Sequence, residues 1–169
     1  GVLYREDPAV YAAKFLRDDA PRIDRYIRDS FGPAGPKYLV NSGIGANEQF
    51  NYFVAALANA RPDRRVTWLL ANSPKGILRL PPDATVENTL FMEFSRSGIT
   101  EETVKLHEFT PRAAKRIVFA NTGPLHDLAE RDGNLVLKLP DEVSGRYGRN
   151  KTPILMASMH VAGMDVIGY

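Results

Sequence analysis

One repeated alternation constrains this chain more than any other feature. Short apolar runs, too short for helices, each lead into a turn and then into a stretch with helical spacing. The runs are Lys37–Val40, Arg65–Leu70, Thr89–Phe94, Lys115–Ala120 and Asn134–Leu139. Apolar residues at helical spacing predict helices over Asn47–Ala60, Glu101–Phe109, Pro124–Asp132 and Pro153–Gly163, with a short one near 75–80. Runs that are apolar on both faces suit a parallel sheet covered on both sides. Right-handed crossovers then give a three-layer, doubly wound α/β fold with about five parallel strands. Such sheets hold ligands at the carboxyl ends of their strands, so function is to be sought in the strand-to-helix turns.

The first thirty or so residues read as helical. Asp7-Pro8 supplies a capping side chain and then proline at the first helical position. Pro21 is expected to kink or split the segment. The run Gly32-Pro33-Ala34-Gly35-Pro36 breaks it. The expected organisation is a helical segment over 1–36 and an α/β unit over 37–169.

Composition removes several classes of function. Lys and Arg number 22 against 20 Asp and Glu, a net charge of +2 that offers no strong field for nucleic acid. No apolar run approaches the roughly 20 residues that span a bilayer. The chain has no cysteine, which excludes disulfides, thiolate-held metals and a thiol nucleophile, and fits a reducing, cytoplasmic setting. Its three histidines, His107, His126 and His160, lack metal-ligand spacing, so no metal is expected. The opening GVLYREDP lacks the basic and apolar regions of a secretory leader. A first residue of Gly suggests a piece of a longer protein.

Three turns carry chemistry. Gly43-Ile44-Gly45-Ala46-Asn47-Glu48 allows close backbone approach, but Glu48 stands where a dinucleotide fingerprint needs glycine. A tight turn needing small residues is the plain alternative. Ser95-Arg96-Ser97-Gly98-Ile99-Thr100-Glu101-Glu102-Thr103 sets hydroxyls ahead of a helix start. Unpaired N–H groups and the helix dipole there suit a phosphate dianion, with Arg96 able to add charge. The alternative is a simple N-cap at Thr100, and acidic Glu101 and Glu102 would oppose an anion if they pointed inward. Finally, Glu142–Asn150 places Arg146 between glycines, either reaching an anion in a cleft or standing free at the surface.

Together these three stretches, Gly43–Asn47, Ser95–Thr103 and Ser144–Gly148, resemble the phosphosugar-binding SIS (sugar isomerase) domain. The likeness is strongest to the first such domain of the glucose-6-phosphate isomerase family, with its GIGGS, SK(S/T)xTTxET and GGRYS motifs in this order. It covers about residues 37–165.

The resemblance implies that Ser95, Ser97, Thr100 and Thr103 hold a substrate phosphate, aided by the backbone at Arg96. Gly45, Ala46 and Asn47 would line the sugar. Gly145 and Arg146 match a catalytic pair, the arginine stabilising an enediolate as a proton moves between C1 and C2. The implied reaction interconverts glucose 6-phosphate and fructose 6-phosphate, in glycolysis and gluconeogenesis, without metal or cofactor. A homodimeric cytoplasmic parent with a second such domain is also implied, so this chain alone is expected to be inactive.

The departures bear on substrate. Ala46-Asn47 replaces Gly-Ser, Arg96 replaces lysine, Ile99 replaces threonine, and Ser144 and Gly148 replace a glycine and a serine. The family's glutamate base has no match in Glu93, Glu101, Glu102 or Glu142. His160, on the apolar helix, reads as a helix-face residue rather than a ring opener. A non-catalytic phosphosugar sensor and another phosphosugar isomerase remain open readings.

Overall fold

In the computed structural model, residues 8–42, 46–139 and 151–166 are described. Helices α1 (Pro8–Asp18) and α2 (Ala20–Phe31) part at Asp19, with Pro21 in the first turn of α2, followed by a 3-10 turn at Gly32–Ala34. The chain then runs β1 (Tyr38–Ser42), α3 (Ala46–Ala60), β2 (Thr67–Leu70) and α4 (Pro74–Ile77). It continues through β3 (Thr89–Phe94), α5 (Glu101–Phe109), β4 (Lys115–Phe119), α6 (Gly123–Arg131), β5 (Leu135–Leu137) and α7 (Lys151–Val161). All five strands are parallel, in the order β2-β1-β3-β4-β5.

That order places the reversal of winding between β1 and β3. The chain leaves β1 toward β2, then returns across β1 to enter β3. Ser42 stands opposite Glu93, so β1 and β3 run side by side to their carboxyl ends. This is where doubly wound sheets open a crevice.

Two layers of helix cover the sheet. On one face Leu39, Trp68, Leu90, Met92, Ile117 and Phe119 form the main core, met by Ala12 and Phe15 of α1, Ile23 of α2, Val54 of α3 and Ala157 of α7. On the other, Val118 and Ala120 of the sheet side meet Leu125 and Ala129 of α6 and Val104 of α5. The apolar helix expected at the C-terminal end therefore packs on this domain's own sheet, with Ile154, Met156, Ala157 and Met159 buried.

Strand limits differ from the sequence reading for physical reasons. β1 runs on through Asn41 and Ser42, which read as turn residues. Both are buried, Asn41 donating to Ser158 Oγ at 3.0 Å and Ser42 to the Met92 carbonyl at 3.4 Å. β2 and β5 are edge strands with one neighbour each. They shorten to the residues that pair, Thr67–Leu70 and Leu135–Leu137.

A buried ionic cluster fixes α5 against the sheet. Arg116 of β4 is fully buried and donates to the carbonyls of His107, Thr110, Pro111 and Ala114, gathering the carboxyl end of α5. A cation there also favours the helix dipole. Its Nε lies 3.3 Å from the buried Glu93 carboxylate. His107 Nδ1 is 2.6 Å from Glu93 on the other side, and His107 Nε2 is 3.4 Å from Asp132. Asp132 also takes Arg131 at 2.9 Å and Arg112 at 2.8 Å. Buried charges so paired are tolerated, while removing one partner of such a pair typically costs about 3–5 kcal/mol.

Arg131, then His107 and Arg112, hold the Asp132 carboxyl down from its ordinary 3.8 to about 2. A depressed carboxyl stabilises the fold fully above its unfolded value and loses that contribution as pH falls through the folded one. Asp132→Asn is therefore expected to lower stability at neutral pH, with the gap to the unmodified chain narrowing toward about pH 2. Urea denaturation over that range checks this; a gap that stays constant with pH would contradict it.

Candidate functional site

The turn between β3 and α5 is built by backbone contact with the turn between β4 and α6. Ser95 N–H donates to Phe119 O at 3.1 Å, Asn121 N–H to Arg96 O at 2.9 Å and Leu125 N–H to Gly98 O at 3.0 Å. Gly98 lies at φ +65°, and a Cβ on it would sit 1.9 Å from the Thr122 carbonyl oxygen. Gly123 lies at φ +82°, where a Cβ would fall 2.5 Å from the Ser97 carbonyl oxygen. Only glycine allows this approach on both sides.

The hydroxyls lie as follows. Ser95 is buried and Ser97 exposed. Ser95 Oγ and Thr100 Oγ1 are 2.8 Å apart. Thr100 occupies the N-cap position of α5, yet its side chain makes no capping hydrogen bond. The simple N-cap reading of Thr100 is thereby corrected: its hydroxyl turns to Ser95 and accepts from no N–H of the first turn of α5. Thr103, in that first turn, is 2% exposed, and its hydroxyl has no hydrogen-bond partner among the described residues. A buried hydroxyl left unpaired typically costs about 1–3 kcal/mol. The start of α5 therefore holds a buried hydroxyl that the described residues do not satisfy.

Glu101 and Glu102 do not oppose an anion here. Both are exposed, and Glu101 pairs along the helix with Lys105, which holds its carboxyl below the ordinary range. Arg96 follows Ser95 and is half-buried. Ile99 is 68% exposed, an apolar side chain at the rim of the turn.

The remaining expected residues divide. Ala46 and Asn47 open α3. Gly45, Gly145 and Arg146 lie outside the described residues, as do Ser144 and Gly148. His160 stands apart: it pairs with Asp24 at 2.8 Å and meets Phe15 edge-on at 6.0 Å. It borders a cleft of about 410 Å³ with Pro33–Pro36, Arg65 and Val66, at the amino ends of β1 and β2. A second cleft of about 420 Å³ lies beyond β2, beside Tyr52, Lys75 and Arg79. Ser95–Thr103 line neither.

The sequence reading missed Asn121 and the Glu93–His107–Arg116–Asp132 cluster. A signal was present for the cluster: Glu93 and Arg116 are charges inside otherwise apolar strand runs.

No protein-family model matches the chain, and no curated protein matches it in sequence. Solved structures do match. One from Clostridium difficile 630, provisionally assigned as a phosphosugar isomerase, superposes with a TM-score of 0.64 at 17% identity, over 92% of this chain and 42% of its own. A glucose-6-phosphate isomerase from Chlamydia trachomatis gives 0.57 at 18% identity, over 95% and 34%. A Methanococcus jannaschii protein, whose inferred function is 3-hexulose-6-phosphate isomerase, gives 0.53 at 16% identity, over 95% and 90%.

The likeness establishes the fold. The five-stranded parallel α/β architecture is the one these structures share. This chain spans about two fifths of the first protein, about a third of the second and most of the third. Among the described residues, no helix is long and apolar enough to cross a membrane.

Replacing Gly98 by alanine is expected to destabilise the chain by more than about 1 kcal/mol, because the positive φ and the Thr122 carbonyl both oppose a side chain. Gly133→Ala is the control: its φ is also positive, but nothing lies within 4 Å of the added carbon. Thermal denaturation compares the two; an equal loss would show that contact with the β4–α6 turn is not the cause.

Proposed function

We propose that this chain is a sugar-phosphate-binding domain whose phosphate site is the turn between β3 and α5. The carrying observation is the start of α5, where Thr100 pairs its hydroxyl with that of Ser95 and does not cap the helix. Open N–H groups, the helix dipole and nearby hydroxyls together favour a phosphate dianion. The buried hydroxyl of Thr103 in the first turn of α5, which has no hydrogen-bond partner among the described residues, supports the reading.

In this reading Ser95, Ser97, Thr100 and Thr103 hold the phosphate, with the Arg96 backbone. Gly45, Ala46 and Asn47 line the sugar. The reaction of the whole protein is aldose–ketose isomerisation of a phosphosugar, in the leading case glucose 6-phosphate to fructose 6-phosphate. A base removes the proton from C2, an enediolate forms, the hydroxyl proton passes from O2 to O1, and the carbon proton is returned at C1. Arg146, beside Gly145, stabilises the charge that develops on the enediolate oxygens. No cofactor takes part. The base comes from outside this chain in a two-domain cytoplasmic homodimer, with 1–36 as a helical segment and 37–169 as the first sugar-binding domain. The chain's share of two longer solved structures, 42% and 34%, supports a longer parent.

A second reading has its own observation. The Methanococcus jannaschii protein is matched over 90% of its length, so a single unit of this fold also forms a whole protein. The domain would then be another phosphosugar isomerase, or a sensor of such a ligand.

Calorimetric titration with inorganic phosphate, glucose 6-phosphate, fructose 6-phosphate and glucose tests the site. The phosphorylated ligands are expected to bind and glucose is not. Ser97→Ala and Thr100→Ala are each expected to weaken phosphate binding about tenfold, or about 1.4 kcal/mol. Binding of glucose as tight as its phosphate, or variants without effect, would contradict the assignment.

A further inference from the structure

The open edge of the sheet at β2 carries the cleft of about 420 Å³. Leu69 and Leu70 both line it, yet Leu69 packs against Val40 and Phe91, and Leu70 against the main core. A cleft that reaches residues on both faces of one strand follows that strand's edge. It opens where the two helical layers part, with Tyr52 of α3 on one side and the turn carrying Lys75 and Arg79 on the other.

The backbone of β2 faces this cleft. Thr67 and Ala71 give their N–H groups to the Lys37 and Asn41 carbonyls, at 2.9 and 3.0 Å, so the peptide groups of Trp68 and Leu70 turn away from β1. At Trp68 the outward group is closed by Asn59, whose carboxamide accepts from Trp68 N–H and donates to Trp68 O, both at 2.8 Å. At Leu70 the outward N–H and C=O border the cleft.

The charge along the cleft is of one sign. Helical hydrogen bonds run on past α4, from Leu78 N–H to Pro74 O at 3.2 Å and from Arg79 N–H to Gly76 O at 3.1 Å. Lys75 and Arg79, four residues apart, therefore stand on one side of the turn. Among the described residues neither makes an ion pair, and no acidic side chain lines the cleft. Like charges at this spacing repel, and an anion between them removes that cost. The cleft near His160 differs. Asp24 sits among its cations, and α2 and α7 end there, bringing the negative poles of two helices.

We propose that the cleft beside β2 binds a small organic anion, a flat ring bearing a phosphate or a carboxylate. Lys75 and Arg79 take the anion. Tyr52, 55% exposed, and the two leucines take the ring. The Leu70 peptide group offers the ring's edge a donor and an acceptor. Two exposed cations alone hold a small anion weakly in water, so ring and charge are both required. β1 lies between β2 and β3, which makes this site independent of the proposed phosphate turn.

The test follows backbone amide shifts of the isotopically labelled chain with four probes: phenyl phosphate, benzoate, benzamide and inorganic phosphate. At least one ring-bearing anion is expected to give saturable shifts at Leu69, Leu70 and Lys75–Arg79, with benzamide and inorganic phosphate at least about fivefold weaker there. The tighter of phenyl phosphate and benzoate names the anionic group. Lys75→Ala combined with Arg79→Ala is expected to weaken that probe about tenfold, and Tyr52→Ala about fivefold, with Tyr52→Phe close to the unmodified chain. All three side chains are exposed, so these variants keep the fold. Shifts at Arg96–Thr103 are read separately and are expected to be untouched by them, so either site can fail without the other. Benzamide or inorganic phosphate as tight as the ring-bearing anions, no saturable shift at the cleft, or variants without effect overturns the proposal.

Discussion

Gly98 and Gly123 meet backbone to backbone, and the carboxyl end of the sheet takes its shape from that contact. Each has a positive φ, and a side-chain carbon on either would run into the other turn's carbonyl oxygen, at 1.9 Å and 2.5 Å. With the turns so close, the carbonyls of Arg96 and Gly98 are taken by the N–H groups of Asn121 and Leu125. The carbonyl side of the β3–α5 turn is spent on this docking. Gly98 N–H turns inward to Ser95 O at 2.8 Å, and the hydroxyls of Ser95 and Thr100 meet ahead of α5. The close packing of two glycines sets this shape.

The other end of α5 is fixed as firmly. Arg116 gathers four carbonyls around the helix's carboxyl end, and Glu93 sits beside its guanidinium. His107 ties Glu93 to Asp132 across the same face. A helix held at both ends presents its first turn in one orientation, which is what preorganised anion binding requires.

Much of this was legible in the sequence. Thr89–Phe94 and Glu101–Phe109 read with their observed limits, because an apolar run and an amphipathic stretch meet at an unambiguous glycine and hydroxyl turn. β1 read short, because Asn41 and Ser42 look like turn residues unless the buried partners Ser158 and Met92 are known. The edge strands read long, because pairing, not apolarity, ends a strand at the margin of a sheet. Whether Thr100 caps its helix or faces Ser95 depends on rotamers that residue type leaves open. Asn121 was invisible for a related reason: an asparagine after a strand looks like any turn residue until Leu139, far along the chain, is placed against it.

The fold is shared with isomerase structures at 16–18% identity, so it is the turn chemistry that carries the functional argument. Its central claim is that phosphate docks on the first turn of α5. The most direct measurement is an amide chemical-shift map of the isotopically labelled chain during titration with inorganic phosphate. The account requires saturable shifts concentrated at Arg96–Thr103, with smaller ones at the docked Asn121–Gly123 turn. Shifts centred on the arginine-bordered cleft near His160, or no saturable shift at all, would contradict it.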